Sequence, residues 1–172
     1  MKTVLLVDGR YARTEAAARG GKLDFHALRG ELEELMSTEF EECWYFDTQQ
    51  FDTRGDDSQF LAQVPSLIDS WHCPCTECVA TFTLNSPAIV RIGIATKIVE
   101  LTTDAERRVV LFSGDGVFCG TLHKEHNRLN VLIAGFRGTV ACDLHQEASR
   151  VIWVDEMRGL VTHGHGRRCT RR

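Results

Sequence analysis

The hydrophobic positions along the chain fall into short unbroken runs, separated by stretches in which they recur every third or fourth residue. Thr3-Val4-Leu5-Leu6-Val7 is a continuous β-branched and aliphatic run, the signature of a strand buried on both faces, and it ends in Asp8-Gly9. A polar, glycine-bearing loop with Arg10, Arg13 and Arg19 follows. Leu23, Phe25, Leu28, Leu32, Leu35 and Met36 then recur with helical spacing, and Asp24 stands where an N-cap belongs. Cys43-Trp44-Tyr45-Phe46 reads as a second strand ending at Asp47. Phe60, Leu61, Val64, Leu67 and Ile68 read as a helix that kinks or ends near Pro65. Val79 to Leu84 is a third strand, closed by Asn85-Ser86-Pro87. The next helix is expected from about Thr96 to Ala105, with Ile98, Val99, Leu101 and Thr102 on its buried face.

Val109-Val110-Leu111-Phe112 is a fourth buried strand, and it runs straight into Ser113-Gly114-Asp115-Gly116, an acidic turn flanked by glycines. A helix from Phe118 to Glu125, a strand from Asn130 to Ala134, a helix from about Thr139 to Ala148 and a last strand, Val151 to Val154, complete the pattern. Strand and helix alternate, which predicts an α/β fold with a parallel sheet and right-handed crossovers. From Arg158 the chain turns polar and basic, so residues 1–157 are expected to form one domain and 158–172 a frayed or docked tail.

Composition narrows the class. At 172 residues with 43% hydrophobic residues, the chain is long enough for one domain with a substantial core. A formal charge of -4 argues against a general nucleic-acid coat but leaves room for a local basic path to an acidic site. No apolar run approaches the roughly 20 residues of a membrane span. The start, Met1-Lys2-Thr3-Val4, has none of the regions of a signal peptide, so the expectation is an intracellular protein, in the cytoplasm or else an organelle, with no membrane partner. Seven cysteines, an odd and mostly scattered set, fit reduced thiols better than a disulfide framework.

The chemistry suggested by these elements is acidic. Asp8 and Asp115 both end buried strands, and if the first and fourth strands are neighbours they face one cleft at the carboxyl edge of the sheet. Glu100 and Asp104 are four apart and share a helix face, although such pairs commonly form a solvated face and nothing more. Four carboxylates that repel one another alone become favourable around a divalent cation whose other ligands come from a phosphodiester.

The order of these parts resembles the NYN-type branch of the PIN-like nucleases, and within it the LabA-like proteins, over about residues 3 to 156. The resemblance rests on Val7-Asp8-Gly9, on Lys97 with Glu100 and Asp104, and on Ser113-Gly114-Asp115-Gly116 with Phe118. It extends to Val131-Leu132-Ile133-Ala134-Gly135-Phe136 and to Glu147-Ala148 and Trp153-Val154-Asp155. It implies a five-stranded parallel sheet in the order 3-2-1-4-5, helices on both faces, and metal-dependent RNA cleavage. In that scheme Asp8, Glu100, Asp104 and Asp115 hold Mg²⁺ or Mn²⁺, while Lys97, Arg10 and Ser113 contact the substrate. Four positions depart from the family pattern. Tyr11 stands where Asn is usual, Ile98 and Glu100 stand for Gly and Asp, and Val117 stands for a second Asp of the third acidic motif. Glutamate keeps the charge with one methylene more of reach, whereas valine removes the ligand.

His72-Cys73-Pro74-Cys75-Thr76-Glu77-Cys78 gathers three thiols and an imidazole, chemistry suited to Zn²⁺. The spacing is not that of a standard zinc finger, and closing a tetrahedron takes ligands such as His163, His165 or Cys169 from the tail. The alternative is a set of free, reduced cysteines at the start of a strand. Arg167, Arg168, Arg171 and Arg172 are either RNA-phosphate contacts or a solvated basic end. Two functions follow: a metal-dependent endoribonuclease acting at the acidic cleft, or a catalytically degenerate relative that binds RNA or scaffolds protein partners in a ribonucleoprotein or other assembly. Either function is compatible with a homodimer.

Overall fold

The computed structural model describes residues 2–47, 70–72, 81–83, 87–103, 107–125 and 128–162. Five parallel strands form the central sheet: β1 (Lys2–Asp8), β3 (Phe40–Phe46), β6 (Arg107–Phe112), β7 (Asn130–Gly135) and β8 (Arg150–Trp153). Their spatial order is β3-β1-β6-β7-β8. In β1 the residues Val4 to Val7 are fully buried on both faces, as an unbroken apolar run demands. Leu5, Val7, Val110, Phe112, Leu132 and Ala134 pack beneath α1 (Gly9–Ala18) and α2 (Phe25–Met36). Val4, Leu6, Val109, Leu111, Val131 and Ile133 face the opposite layer, formed by α3 (Pro87–Leu101), α4 (Cys119–Glu125) and α5 (Cys142–Glu147). No helix among the described residues is long and apolar enough to cross a membrane.

The sheet order differs from the expected 3-2-1-4-5. Its interior sequence of strands agrees, but the third expected strand is not the edge neighbour of the second. Instead β5 (Thr81–Thr83) pairs antiparallel with β4 (Ser70–His72) in a separate ribbon. Its backbone groups are satisfied by a partner close along the chain, at a smaller loop-closure cost than docking beside β3. The fifth place is taken at the other edge by β8, which pairs with β7 from Leu132↔Arg150 to Gly135↔Trp153.

Three further corrections concern helices and ends. The segment with Arg10 and Arg13 is α1 rather than a loop. The Asp8 side chain caps it by accepting from the Tyr11 N–H, and its buried stripe is Gly9, Ala12 and Ala16, side chains too small to register as a hydrophobic period. α3 begins at Pro87, nine residues before the expected start at Thr96, and buries Val90, Ile94, Ile98 and Leu101. Proline with its fixed φ and missing N–H suits a first helical turn, so the Asn85-Ser86-Pro87 signal marks a helix entrance as much as a strand end. α5 is shorter than expected, since Thr139 to Ala141 form the turn that leads into it. The chain beyond Arg158 is docked as far as it is described: Leu160 is buried, and β9 (Val161–Thr162) pairs with β2 (Lys22–Leu23). The helix expected at Phe60 to Ile68, the ends of the strand expected at Val79 to Leu84, and the basic tail from His163 onward lie outside the described residues.

Candidate functional site

β1 leads through the chain to β3 on one side, while β6, β7 and β8 build away on the other. The order therefore reverses between β1 and β6, and a crevice at their carboxyl ends is where an open α/β sheet places ligands. Asp8 and the Ser113-Gly114-Asp115 turn sit at that crevice.

Asp8 closes β1 and caps α1 at once. Its Oδ1 accepts from the Tyr11 N–H at 3.1 Å and its Oδ2 from the Ser113 hydroxyl at 2.9 Å. The Ser113 Oγ in turn accepts from the Asp115 N–H at 3.2 Å, so one hydroxyl couples the two strand ends. Asp115 Oδ1 accepts from the Val117 N–H at 3.1 Å, capping a 3-10 turn over Gly116–Phe118. Its Oδ2 receives the Nε and Nη2 of Arg91, each at 2.7 Å. Asp8 is only 5% exposed. Burial raises its carboxyl above the ordinary range, and the negative charge of Asp115 adds to that rise against the bonds from Tyr11 and Ser113.

Two glycines are required here by space. A Cβ on Gly114 would run into the Thr139 carbonyl oxygen and the Tyr11 ring, and one on Gly9 would strike the Tyr45 ring and the Asp47 carboxylate. Tyr11 ties the crevice to the loop after β7. Its hydroxyl meets Thr139 Oγ1 at 2.6 Å and accepts from the Phe136 N–H at 2.9 Å, while its ring stands edge-on to Phe112. Tyr11→Phe leaves the Phe136 N–H without that acceptor. The variant is expected to be less stable by about 1–3 kcal/mol in chemical denaturation, the cost of an unsatisfied buried donor.

The expected site residues do not all converge. Arg10 lies exposed in the first turn of α1, next to Asp8 and Gly9. Lys97 sits 4.0 Å from the centre of the Trp44 ring, with Glu100 at 3.5 Å and Glu42 at 3.9 Å. Burial would raise the Glu42 carboxyl, but Trp44, Arg107 and Lys97 outweigh it and hold the group below its ordinary range. Glu42 pairs with Val4, four residues before the pairing of Asp8 with Phe46, which places this network about 13 Å down the strands from the crevice. Glu100 follows Arg91 by nine residues, a rise of about 13.5 Å along α3. Its side chain is 61% exposed. The structure thus brings Asp8, Ser113 and Asp115 together and leaves Lys97 and Glu100 apart from them. Asp104, Cys73, Cys75 and Cys78 lie outside the described residues, and His72 is described only as backbone of β4. Among the described residues no group of three or more His, Cys, Asp or Glu side chains is arranged to hold a metal ion.

Sequence reasoning missed Asp47 and Arg91 as neighbours of the crevice. Asp47, one residue past β3 at the same edge, is 5% exposed. It takes a forked pair of bonds from Arg13 at 2.7 and 2.8 Å and a third from the Tyr45 hydroxyl at 2.9 Å. An apolar run ending in Asp was visible there, as at Asp8, and was a sufficient signal. Arg91 carried no such signal, because the helix that presents it was expected to begin after it.

No family model matches the chain, and no curated protein matches it. Among solved structures, the fold is similar to that of a protein of unknown function from Vibrio parahaemolyticus RIMD 2210633. The TM-score is 0.66 at 16% sequence identity, covering 90% of this chain and 93% of the other. At that identity the likeness concerns the fold alone.

Proposed function

We propose that the chain is a metal-dependent endoribonuclease whose working carboxylates are Asp8 and Asp115, with activity lower than a full acidic set would give. The observation that carries this reading is the meeting of two strand-end carboxylates at the switch-point crevice, close enough that one raises the other's proton affinity. Asp8 is held rigidly by donors on both oxygens, and each oxygen retains further acceptor capacity. Two hard oxygen donors suit Mg²⁺ or Mn²⁺, which commonly take one or two protein carboxylates and complete their shell with waters and phosphate oxygens. When bound there, such a cation supplies a water of lowered pKa and neutralises charge on the phosphodiester. The chain's own contribution is to fix Asp8 through Tyr11 and Ser113 and to fix Asp115 through the Val117 N–H. Arg91 and Arg10 add positive charge at the crevice mouth for the RNA backbone.

A second reading, a catalytically degenerate protein that binds RNA or a protein partner, is favoured by the Arg91–Asp115 ion pair. There a guanidinium takes the place beside Asp115 that a cation would claim. Val117 separates the two. It is 52% exposed, so Val117→Asp is expected to fold as the parent does. Under the nuclease reading the added carboxylate tightens Mn²⁺ binding in calorimetry and speeds cleavage of single-stranded RNA, with EDTA abolishing both. RNA binding without metal binding in either form would instead leave the degenerate reading.

A further inference from the structure

At the amino-terminal edge of the sheet, far from the crevice, three strands present polar residues on one face. Arg108 pairs with Thr3 on β1 and with Asn130 on β7, and Arg150 pairs with Leu132. By strand alternation Arg108, Asn130 and Arg150 share the face of Val110, Leu132 and Ile152, which faces α1 and α2. There Arg108, Asn130, Ser149 and Arg150 line a pocket of about 300 Å³, and Leu35 and Met36 from the last turn of α2 form its apolar wall. No carboxylate is among the described residues lining it. The neighbouring Arg107, by contrast, is bonded to Glu42 at 3.1 Å.

Two buried polar atoms at this edge lack a partner: the Arg108 Nε and, across the register, the Thr3 Oγ1. Thr3 is only 2% exposed. A buried N–H of a cation that donates to nothing is costly, and such atoms are rare in folded proteins. A pocket with two guanidinium groups, an amide, a hydroxyl and an apolar wall has the donor set of an anion site, since guanidinium forks match phosphate and carboxylate oxygens.

We propose that this pocket binds the phosphate of a small phosphomonoester whose apolar or aromatic body rests on Leu35 and Met36. Two arginines match the two charges of a monoester at neutral pH. The volume stands at the lower end of small-molecule sites, which suits a ligand of that size. Thr3 precedes Asp8 by five residues, so this site lies about 16 Å along β1 from the crevice and is independent of the nuclease reading.

Phenyl phosphate serves as the probe, titrated calorimetrically into the full chain at constant ionic strength, with benzoate and inorganic phosphate alongside. The expected result is saturable binding at one site, stronger for phenyl phosphate than for either comparison ligand. Arg108→Gln and Arg150→Gln should each weaken it by about tenfold or more, as loss of a charge-assisted fork implies. Arg91→Gln, at the crevice, should leave it unchanged. Arg150 is exposed, so its variant carries the test should Arg108→Gln fold poorly. Absence of saturation up to about 10 mM phenyl phosphate, a millimolar limit that marks negligible affinity, overturns the proposal. So does binding that Arg150→Gln leaves intact or that Arg91→Gln removes, and tighter binding of benzoate would reassign the site to carboxylates.

Discussion

The Asp8→Asn variant is expected to melt at a higher temperature than the parent without divalent cation, and to lose Mn²⁺-dependent RNA cleavage. Both effects have one cause. Asp8 is buried and stands beside the negative Asp115, and these raise its carboxyl above the ordinary 3.8. Below 3.8 the proton is bound in folded and unfolded chains alike, and the group costs nothing. As pH rises toward the folded-state value, the unfolded chain releases a proton that the folded chain retains, so stability falls. Above the folded-state value the loss is complete. Asparagine keeps an oxygen to accept from the Tyr11 N–H and has no charge to bury. Its advantage in melting temperature should therefore grow from about pH 4 upward and then level off. Under the nuclease reading the same exchange removes a proposed cation ligand, and the loss of cleavage should then exceed the roughly 10–100-fold that an outer-shell partner is worth. A variant that is no more stable at neutral pH would contradict the electrostatic picture. Cleavage persisting in both Asp8→Asn and Asp115→Asn would contradict the nuclease.

Gly114→Ala should be the most damaging small substitution at the crevice. The added methyl has no room, because the Thr139 backbone oxygen occupies its place and the Tyr11 Cε2 lies 2.7 Å from it. Neither obstacle is the free end of a flexible side chain. Thr139 is held by Tyr11, and Ala141 N–H donates to the Gly114 carbonyl at 3.0 Å, so the loop after β7 must move together with the Asp115 turn. Overpacking of this kind costs about 1–3 kcal/mol or more. For a chain of this length that lowers the melting temperature by roughly 2–12 °C, readable by calorimetry, and it should displace Asp115 and suppress any metal binding as well. A variant as stable as the parent, with an intact crevice, would show that the turn is looser than its contacts indicate.

What could be read directly from the chain follows from local physics. The runs Val4 to Val7 and Val109 to Phe112 are apolar on both faces, and only a covered parallel sheet has two buried faces to offer them. The Asp and Gly residues that end those runs mark the carboxyl edge, so Asp8, Ser113 and Asp115 are legible in the sequence as strand-end residues. Asp24 as the cap of α2 was equally plain, and its side chain does accept from the Ala27 N–H.

Tertiary structure decided what depends on partners distant along the chain. The identity of the fifth strand depends on which edge offers hydrogen bonds, and β5 found those groups in β4 while β8 found them in β7. α1 escaped a hydrophobic reading because its buried face is glycine and alanine, and close approach to the sheet, not apolar bulk, is what those small residues provide. Glu100 and Asp115 carry matching chemistry, but a helix lying along the strands carries Glu100 away by its own rise, and that direction is not encoded in spacing. Arg91 reaches Asp115 across 24 positions. Arg108 and Arg150 share a pocket only because β7 lies between their strands. Periodicity reports which face of an element is buried, since that is a property of neighbours along the chain. Which charges meet is settled by packing between elements, where a shift of one strand changes every pairing.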